Sequence, residues 1–448
     1  MILYSLHMIR HALLFLVALL IAPDLYAQQQ QFDVFERTIP ELQSAMERGE
    51  TTSRELVQQY LDRIQALDQR GPRLNAMLYL NPRALQEAKA LDVERTAKGA
   101  RGPLHGIPMV LKDNYDTSDM PTTGSAIALA GFVPPDDAYQ VRKLREAGAV
   151  FIGKTNLHEF ARGIETVSSL GGYTRNPYDP RRNPGGSSGG TAAAVAANFA
   201  AVGMGSDTCG SIRIPAANNN LFGIRVTQGL SSRDGIIPLS HTQDVGGPIA
   251  RNVVDLVTVL DATVGADPAD PQTSVATGHV PETYHSFLKM DALKGARSGL
   301  LTGFVRQDSP YGEVSRVFQQ AVDSLGNSGA EVIELHIEGL DELLNNSSVI
   351  DLEFKFDLED YLRNSDAPVK TLSEILESGR YHRALEKRYR RSEAAEANSE
   401  KYQERLKNRT TLAQVLGDSM ASQNLDTLVY PTIRVKPSFV GEGQFGSV

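Results

Sequence analysis

Two glycine-rich islands hold the serines best placed for chemistry: Gly185-Gly186-Ser187-Ser188-Gly189-Gly190 and Gly205-Ser206-Asp207-Thr208-Cys209-Gly210-Ser211-Ile212-Arg213. The first runs directly into 191–199, a small-residue stretch of helical character. Its loop therefore presents backbone N–H groups at a helix start, where developing negative charge is favoured. A flexible linker is the plain alternative for such a composition, and the helix behind it argues against that. The second island follows an apolar run and sets glycines around a serine, which lets backbone approach a substrate closely. Two further patterns suggest other chemistry. Residues 148–155, Gly148-Ala149-Val150-Phe151-Ile152-Gly153-Lys154-Thr155, fit the P-loop spelling. A phosphate cradle needs a supple loop after a strand, however, and 149–152 reads as the apolar strand itself, which argues against a nucleotide site. Gly185-x-Ser187-x-Gly189 fits the nucleophile elbow of esterases, which must spring from a buried strand. The preceding 176–184 holds three prolines and three charged residues, which no buried strand would.

The elements that must position these islands can be read coarsely. Thr38 to Glu41 and Thr52 to Glu55 match helix capping boxes, and apolar residues recur at helical spacing over 42–48 and 56–67. From Gly106 onward, short apolar runs (107–111, 150–153, 200–205) stand between Gly and Pro, with a helical stretch over 137–147. This is the texture of an α/β protein whose strands are buried on both faces. Another apolar run spans 298–304, one more strand is expected at 428–432, and 267–271 reads as a linker. The region 353–420 is charged and helical, and its mixed signs around 388–409 predict a solvated helix face. There is no internal repeat.

Four segments taken together are specific: Val110-Leu111-Lys112-Asp113-Asn114, the GGSSGG island, the GSDTCGSIRIPA stretch, and Gly235-Ile236-Ile237-Pro238-Leu239-Ser240-His241-Thr242-Gln243-Asp244. In order and spacing they resemble the amidase-signature family. The resemblance covers about 35–440, with its motif core at 105–250. It implies one large α/β/α domain over 28–448, built around a mixed β-sheet, and hydrolysis of a C–N amide bond through an acyl-enzyme. Carried over residue by residue, it implies Ser211 as nucleophile, Ser187 as the bridging serine after a cis peptide bond, and Lys112 as the base. It also assigns the oxyanion hole to the backbone N–H groups of Thr208, Cys209, Gly210 and Ser211. Members of the family usually continue past the Tyr430-Pro431-Thr432 strand, so the chain is expected to lack the usual C-terminal part.

The chemistry agrees with the resemblance. A serine hydroxyl is a weak nucleophile and needs a base within hydrogen-bond reach. Lysine serves as that base only when neutral, and burial brings this about by lowering its pKa. Lys112 follows the apolar run 107–111, which carries it inward. Polar residues beside such a relay must hold it in register, which makes Ser188, Asp207 and Arg213 supporting candidates. The family pattern has glycine where Cys209 stands. That thiol either strains a positive φ or narrows the pocket, and as a nucleophile it has no histidine near it in sequence. Arg162 is a candidate contact for a substrate carboxylate, although a surface arginine is the commoner meaning of such a residue.

Composition bounds the rest. Arg10 and His11 precede an apolar run of about eleven residues and a small residue at Ala27, the pattern of a signal peptide over 1–27. Such a run is too short to span a bilayer, which takes about 20 residues. An exported protein, periplasmic or extracellular, is expected, with no membrane attachment after cleavage. Removing 1–27 takes out Arg10 and Asp24, so the net charge stays at −9. An acidic chain is a poor nucleic-acid binder. One cysteine excludes an internal disulfide. His105 and His158 are the histidines near the motifs and lack metal-ligand spacing, so neither metal nor cofactor is expected. The family resemblance implies a small carboxamide or peptide amide as the substrate class. Competing classes are an inactive, truncated amidase-like protein and an α/β-hydrolase esterase, the latter requiring a histidine where the amidase requires a lysine.

Overall fold

The computed structural model describes residues 32–447, so the signal-peptide reading of 1–27 lies outside the described residues. Both capping boxes close as the sequence implies. Thr38 and Thr52 each accept from the N–H of the glutamate three residues on, which accepts in return from the threonine N–H, and this starts α1 (Ile39–Glu47) and α2 (Ser53–Leu67). Then come β1 (Met77–Leu80) and α3 (Ala84–Lys98), β2 (Pro108–Lys112), α4 (Tyr139–Glu146) and β3 (Val150–Thr155). A short ribbon, β4 (Val167–Ser168) with β5 (Gly172–Tyr173), precedes α5 (Gly189–Ala196) and β6 (Val202–Asp207). The motif core closes with α6 (Arg213–Asn218), β7 (Phe222–Gly223), β8 (Val245–Ala250) and α7 (Val253–Thr263).

Six of these strands form one sheet in the order β1-β3-β2-β6-β8-β7. β2 runs parallel to β3 and β6, while β1, β7 and β8 join antiparallel, so the sheet is mixed. Every residue of β2, β3, β6 and β8 is buried, which requires cover on both faces of the sheet. The main core joins these strands to α1, α2, α5 and α7. Lys154 lies within β3, fully buried, and donates to Thr122 Oγ1 (2.8 Å) and Pro121 O (3.0 Å) with Asp113 at 3.5 Å. It fastens the turn after β2, and the P-loop spelling carries no phosphate loop.

The second half departs from one continuous sheet. Its elements are β9 (Arg297–Leu301), α8 (Gly312–Asn327), β10 (Glu331–Leu335), α9 (Leu340–Asn345), α10 (Ile350–Asn364), α11 (Leu372–Ser378), α12 (Glu386–Glu393), α13 (Glu400–Ser422) and β11 (Thr427–Val429). β9 is paired on both edges, in parallel, by β10 and β11, so these strands form a separate three-stranded sheet. The charged region 353–420 is only in part the solvated face that its charges predict. α13 buries no residue, but α10 buries Phe354, Leu358 and Leu362. Phe354 stacks on Tyr389 of α12 at 5.9 Å, and Phe160 from the motif core joins them at 6.3 Å. Apolar residues on one side of charged helices thus build a second core beside the site. No helix among the described residues is long and apolar enough to cross a membrane.

Candidate active site

Lys112 ends β2, and parallel pairing of that strand with β6 brings it to the level where β6 delivers Ser206. It is fully buried. Its Nζ donates to Ser187 Oγ at 2.7 Å, Ser206 Oγ at 2.8 Å and Ser206 O at 3.3 Å. Burial lowers its pKa to about 7 against the opposing pull of Asp207 and Asp244, which act only through space. Near neutral pH a large share of this lysine is therefore the free amine. Asn114 Nδ2 donates to Ser206 Oγ at 3.0 Å, so that hydroxyl is held from two sides.

Ser187 sits in the loop ahead of α5, and the Gly186–Ser187 peptide bond is cis, as the resemblance implies. Thr166 secures this loop, donating from Oγ1 to Gly185 O at 2.7 Å and accepting from Gly189 N–H at 3.0 Å. At Gly190 a Cβ would lie 2.2 Å from Asn156 O, so only glycine lets the start of α5 pack there. Ser188 joins the loops: its N–H donates to Ser211 O at 3.1 Å and its Oγ to Ser206 O at 3.2 Å.

Asp207, the last residue of β6, organises the segment carrying Ser211. Its carboxylate accepts from Gly210 N–H (2.7 Å), Ile212 N–H (3.1 Å), Arg213 Nε (3.1 Å) and Arg225 Nη1 (3.2 Å). Burial pushes its pKa up, but Arg213, Arg225 and the Ile212 N–H together hold it below the usual carboxylate range. The positive φ of this turn, +137°, falls on Gly210 and not on Cys209. Cys209 instead lines the cavity beside Ser211 with its side chain exposed to it; the protein packed around the thiol and the nearby Asp207 push its pKa up to about 11, so it stays protonated. The four N–H groups of 208–211 differ in their partners. Gly210 N–H is committed to Asp207, whereas the N–H groups of Thr208, Cys209 and Ser211 meet no protein acceptor among the described residues. Thr208 Oγ1 donates to Asp244 at 2.5 Å, and Asp244 also accepts from Leu239 N–H and Ser240 N–H.

Ser211 is 2 % exposed and lines a cavity of about 670 Å³. The wall opposite comes from α10, α12 and the start of α13, with Arg388, Arg391, Lys401 and Arg405 among its residues. Arg162 is not a surface arginine: it is 4 % exposed, pairs with Asp351 at 2.7 Å and lies 4.8 Å from the Phe354 ring. His158 Nδ1 accepts from Glu165 N–H, and no histidine side chain hydrogen-bonds to Ser187 or Ser211 among the described residues. The esterase alternative thus lacks its base. His241, Glu353 and Asp357 have ligand atoms close enough to share an ion. Their bonds are already spent otherwise, for His241 Nδ1 lies 2.8 Å from Asp357 and Glu353 accepts from Thr242, Ser240 and Tyr402. The cluster ties the loop 235–244 to α10.

Sequence reasoning missed Ser206, Asn114, Thr166, Arg225 and Asp244 as parts of the site. Ser206, Asn114 and Asp244 lie inside the motif segments, so a signal existed. Thr166 and Arg225 lie outside them.

Comparison with known proteins agrees with this geometry. The Amidase family model matches residues 55–444. Among curated relatives, a glutamyl-tRNA(Gln) amidotransferase subunit of Thermobifida fusca is 42% identical over 307 residues, 68% of this chain and 60% of that protein. The chain spans about 60% of the length of the curated relatives it matches. Among solved structures, the native peptide amidase from Stenotrophomonas maltophilia superposes with a TM-score of 0.81 at 39% identity, covering 89% of this chain and 84% of that one. An amidase family protein from Bacillus anthracis gives a TM-score of 0.80 at 33% identity, covering 88% of this chain and 80% of its own. Sequence, sheet and family model converge, and the chain belongs to the amidase-signature family.

Proposed function

We propose that this chain hydrolyses a C–N amide bond in small carboxamides or peptide amides through an acyl-enzyme. The carrying observation is the fully buried Lys112, whose Nζ lies 2.7 Å from Ser187 Oγ and whose pKa is lowered to about 7 by burial. A neutral lysine at this spot has a lone pair to accept the Ser187 proton, and Ser187 in turn accepts the proton of Ser211. Ser211 Oγ adds to the amide carbonyl. The oxyanion meets the N–H groups of Thr208, Cys209 and Ser211, each donor of this kind being worth ~10²–10³ in rate. The proton returns through Ser187 to the leaving nitrogen, the C–N bond breaks, and water releases the acid by the same relay. The leader-like 1–27 supports a site of action outside the cytoplasm, on amides the chain meets after export.

Covalent labelling with a fluorophosphonate probe, followed by mass spectrometry of the modified peptide, tests the reading. Label on Ser211 in the native chain and none in Lys112→Ala is expected. A folded chain that takes no label would overturn it.

A further inference from the structure

The cavity over Ser211 has a charge opposite to that of the chain. The protein carries a net charge of −9. The cavity is lined by five cations, Arg162, Arg388, Arg391, Lys401 and Arg405. It has two carboxylates, Asp351 and Glu396. Asp351 is shared by Arg162 (2.7 Å) and Arg391 (3.0 Å), so one negative charge answers two positive ones. The other three cations form no ion pair among the described residues. Arg405 Nη1 donates to the carbonyl oxygens of Asn345 (3.1 Å) and Ser348 (3.3 Å), and Arg388 donates to Arg162 O. Carbonyls orient a guanidinium without cancelling its charge. A space of about 670 Å³ is roughly 9 Å across, comparable to the Debye length of about 8–10 Å, so these charges act together on one occupant.

Arg162, the arginine that the sequence offered as a carboxylate contact, is the one already answered by Asp351. The unanswered charge comes from the helices of the wall. Clefts lined by one sign of charge concentrate ligands of the other sign. A primary amide leaves only ammonia, so its acyl part alone fills the space over Ser211.

We propose that the preferred substrates are amides whose acyl portion bears a carboxylate, held by Arg388, Lys401 and Arg405 while the amide carbonyl faces Ser211. This rests on the hydrolase reading above for the placement of the amide, and its test is one of binding. Titration of the Ser211→Ala chain with N-succinyl-leucinamide and N-acetyl-leucinamide compares an anionic with a neutral acyl group on the same amide. The succinyl amide is expected to bind about tenfold tighter or more, as charge-assisted contacts allow. Its advantage should shrink as NaCl rises from about 50 mM to about 500 mM, and fall at least threefold when Lys401→Gln and Arg405→Gln are added. Equal binding, or an advantage untouched by salt and by those substitutions, overturns the proposal. Protection of the native chain from the fluorophosphonate probe by the two amides gives the same comparison with no substitution. A chain that binds the succinyl amide selectively yet turns nothing over would sink the hydrolase reading and leave this one standing.

Discussion

The floor and the wall of the cavity are built on different principles. The floor, comprising the end of β2, the loop 185–188 and the turn 207–211, is buried except at Cys209, and its charged side chains are each held by named partners, while the N–H groups of Thr208, Cys209 and Ser211 meet no protein acceptor among the described residues. Lys112 is held by Ser187 and Ser206, Asp207 by two backbone N–H groups and two arginines, and Thr208 by Asp244. The wall from α10, α12 and α13 rests on an apolar core but faces the cavity with exposed charged side chains, several without an ion-pair partner. A site must fix reacting groups to within a fraction of an ångström, whereas recognition by charge tolerates looser placement. The floor is therefore where one lost contact stops chemistry, and the wall is where one lost contact retunes affinity.

That contrast can be broken experimentally, beginning with the largest effect. Lys112→Met keeps the length of the side chain without its base, and kcat/KM should fall ~10⁴-fold or more with the thermal transition retained, as for other nucleophile–base units. Activity within tenfold of native would remove lysine from the chemistry. Asp207→Asn leaves Arg213 and Arg225 without their buried counter-charge and loosens the Gly210 and Ile212 anchors. Denaturant melts should show a loss of about 3 kcal/mol, with turnover down about 10²-fold. A stable, fully active variant would mean that the turn holds itself.

The pH dependence separates the two regions further. Lys112 is a base only when deprotonated, and its pKa is lowered to about 7. kcat/KM for a neutral amide should rise with pH up to about 7 and level off above it, and a profile flat across that window would contradict the lysine base. Arg162→Leu, which unties the motif core from Asp351 of the wall, should cost about 1–2 kcal/mol of stability through its lost buried hydrogen bonds, and should change KM more than kcat. The smallest effect is expected at Cys209→Ala. Its φ is not in the left-handed region and its thiol stays protonated, so rates should remain within about threefold. A larger loss would place the sulfur in contact with substrate.

The two regions also differ in how far the sequence announces them. In the floor, motif residues lie where their local backbone needs them: the apolar run ending at Lys112, and the glycine that takes the positive φ after Cys209. Ser188, Asp207 and Arg213 tie together the loops that carry Ser187 and Ser211, and Asp207 takes up the Gly210 N–H. In the wall, charge runs over 388–409 predict a solvated face, which holds for α13 but hides the apolar stripe of α10 and the buried Tyr389.

By itself the sequence determined which residues stand in the family's motifs, in what order, and on which kind of element, because caps, turns and apolar periodicity act over a few residues. Only the tertiary structure decided that Lys112 meets Ser187 across 75 residues and Ser206 across 94, that Arg162 is buried on Asp351 189 residues away, and that cations from distant helices, without ion-pair partners among the described residues, line the same cavity as Ser211. Burial and ion pairing depend on what packs against a group, and sequence neighbours do not record that.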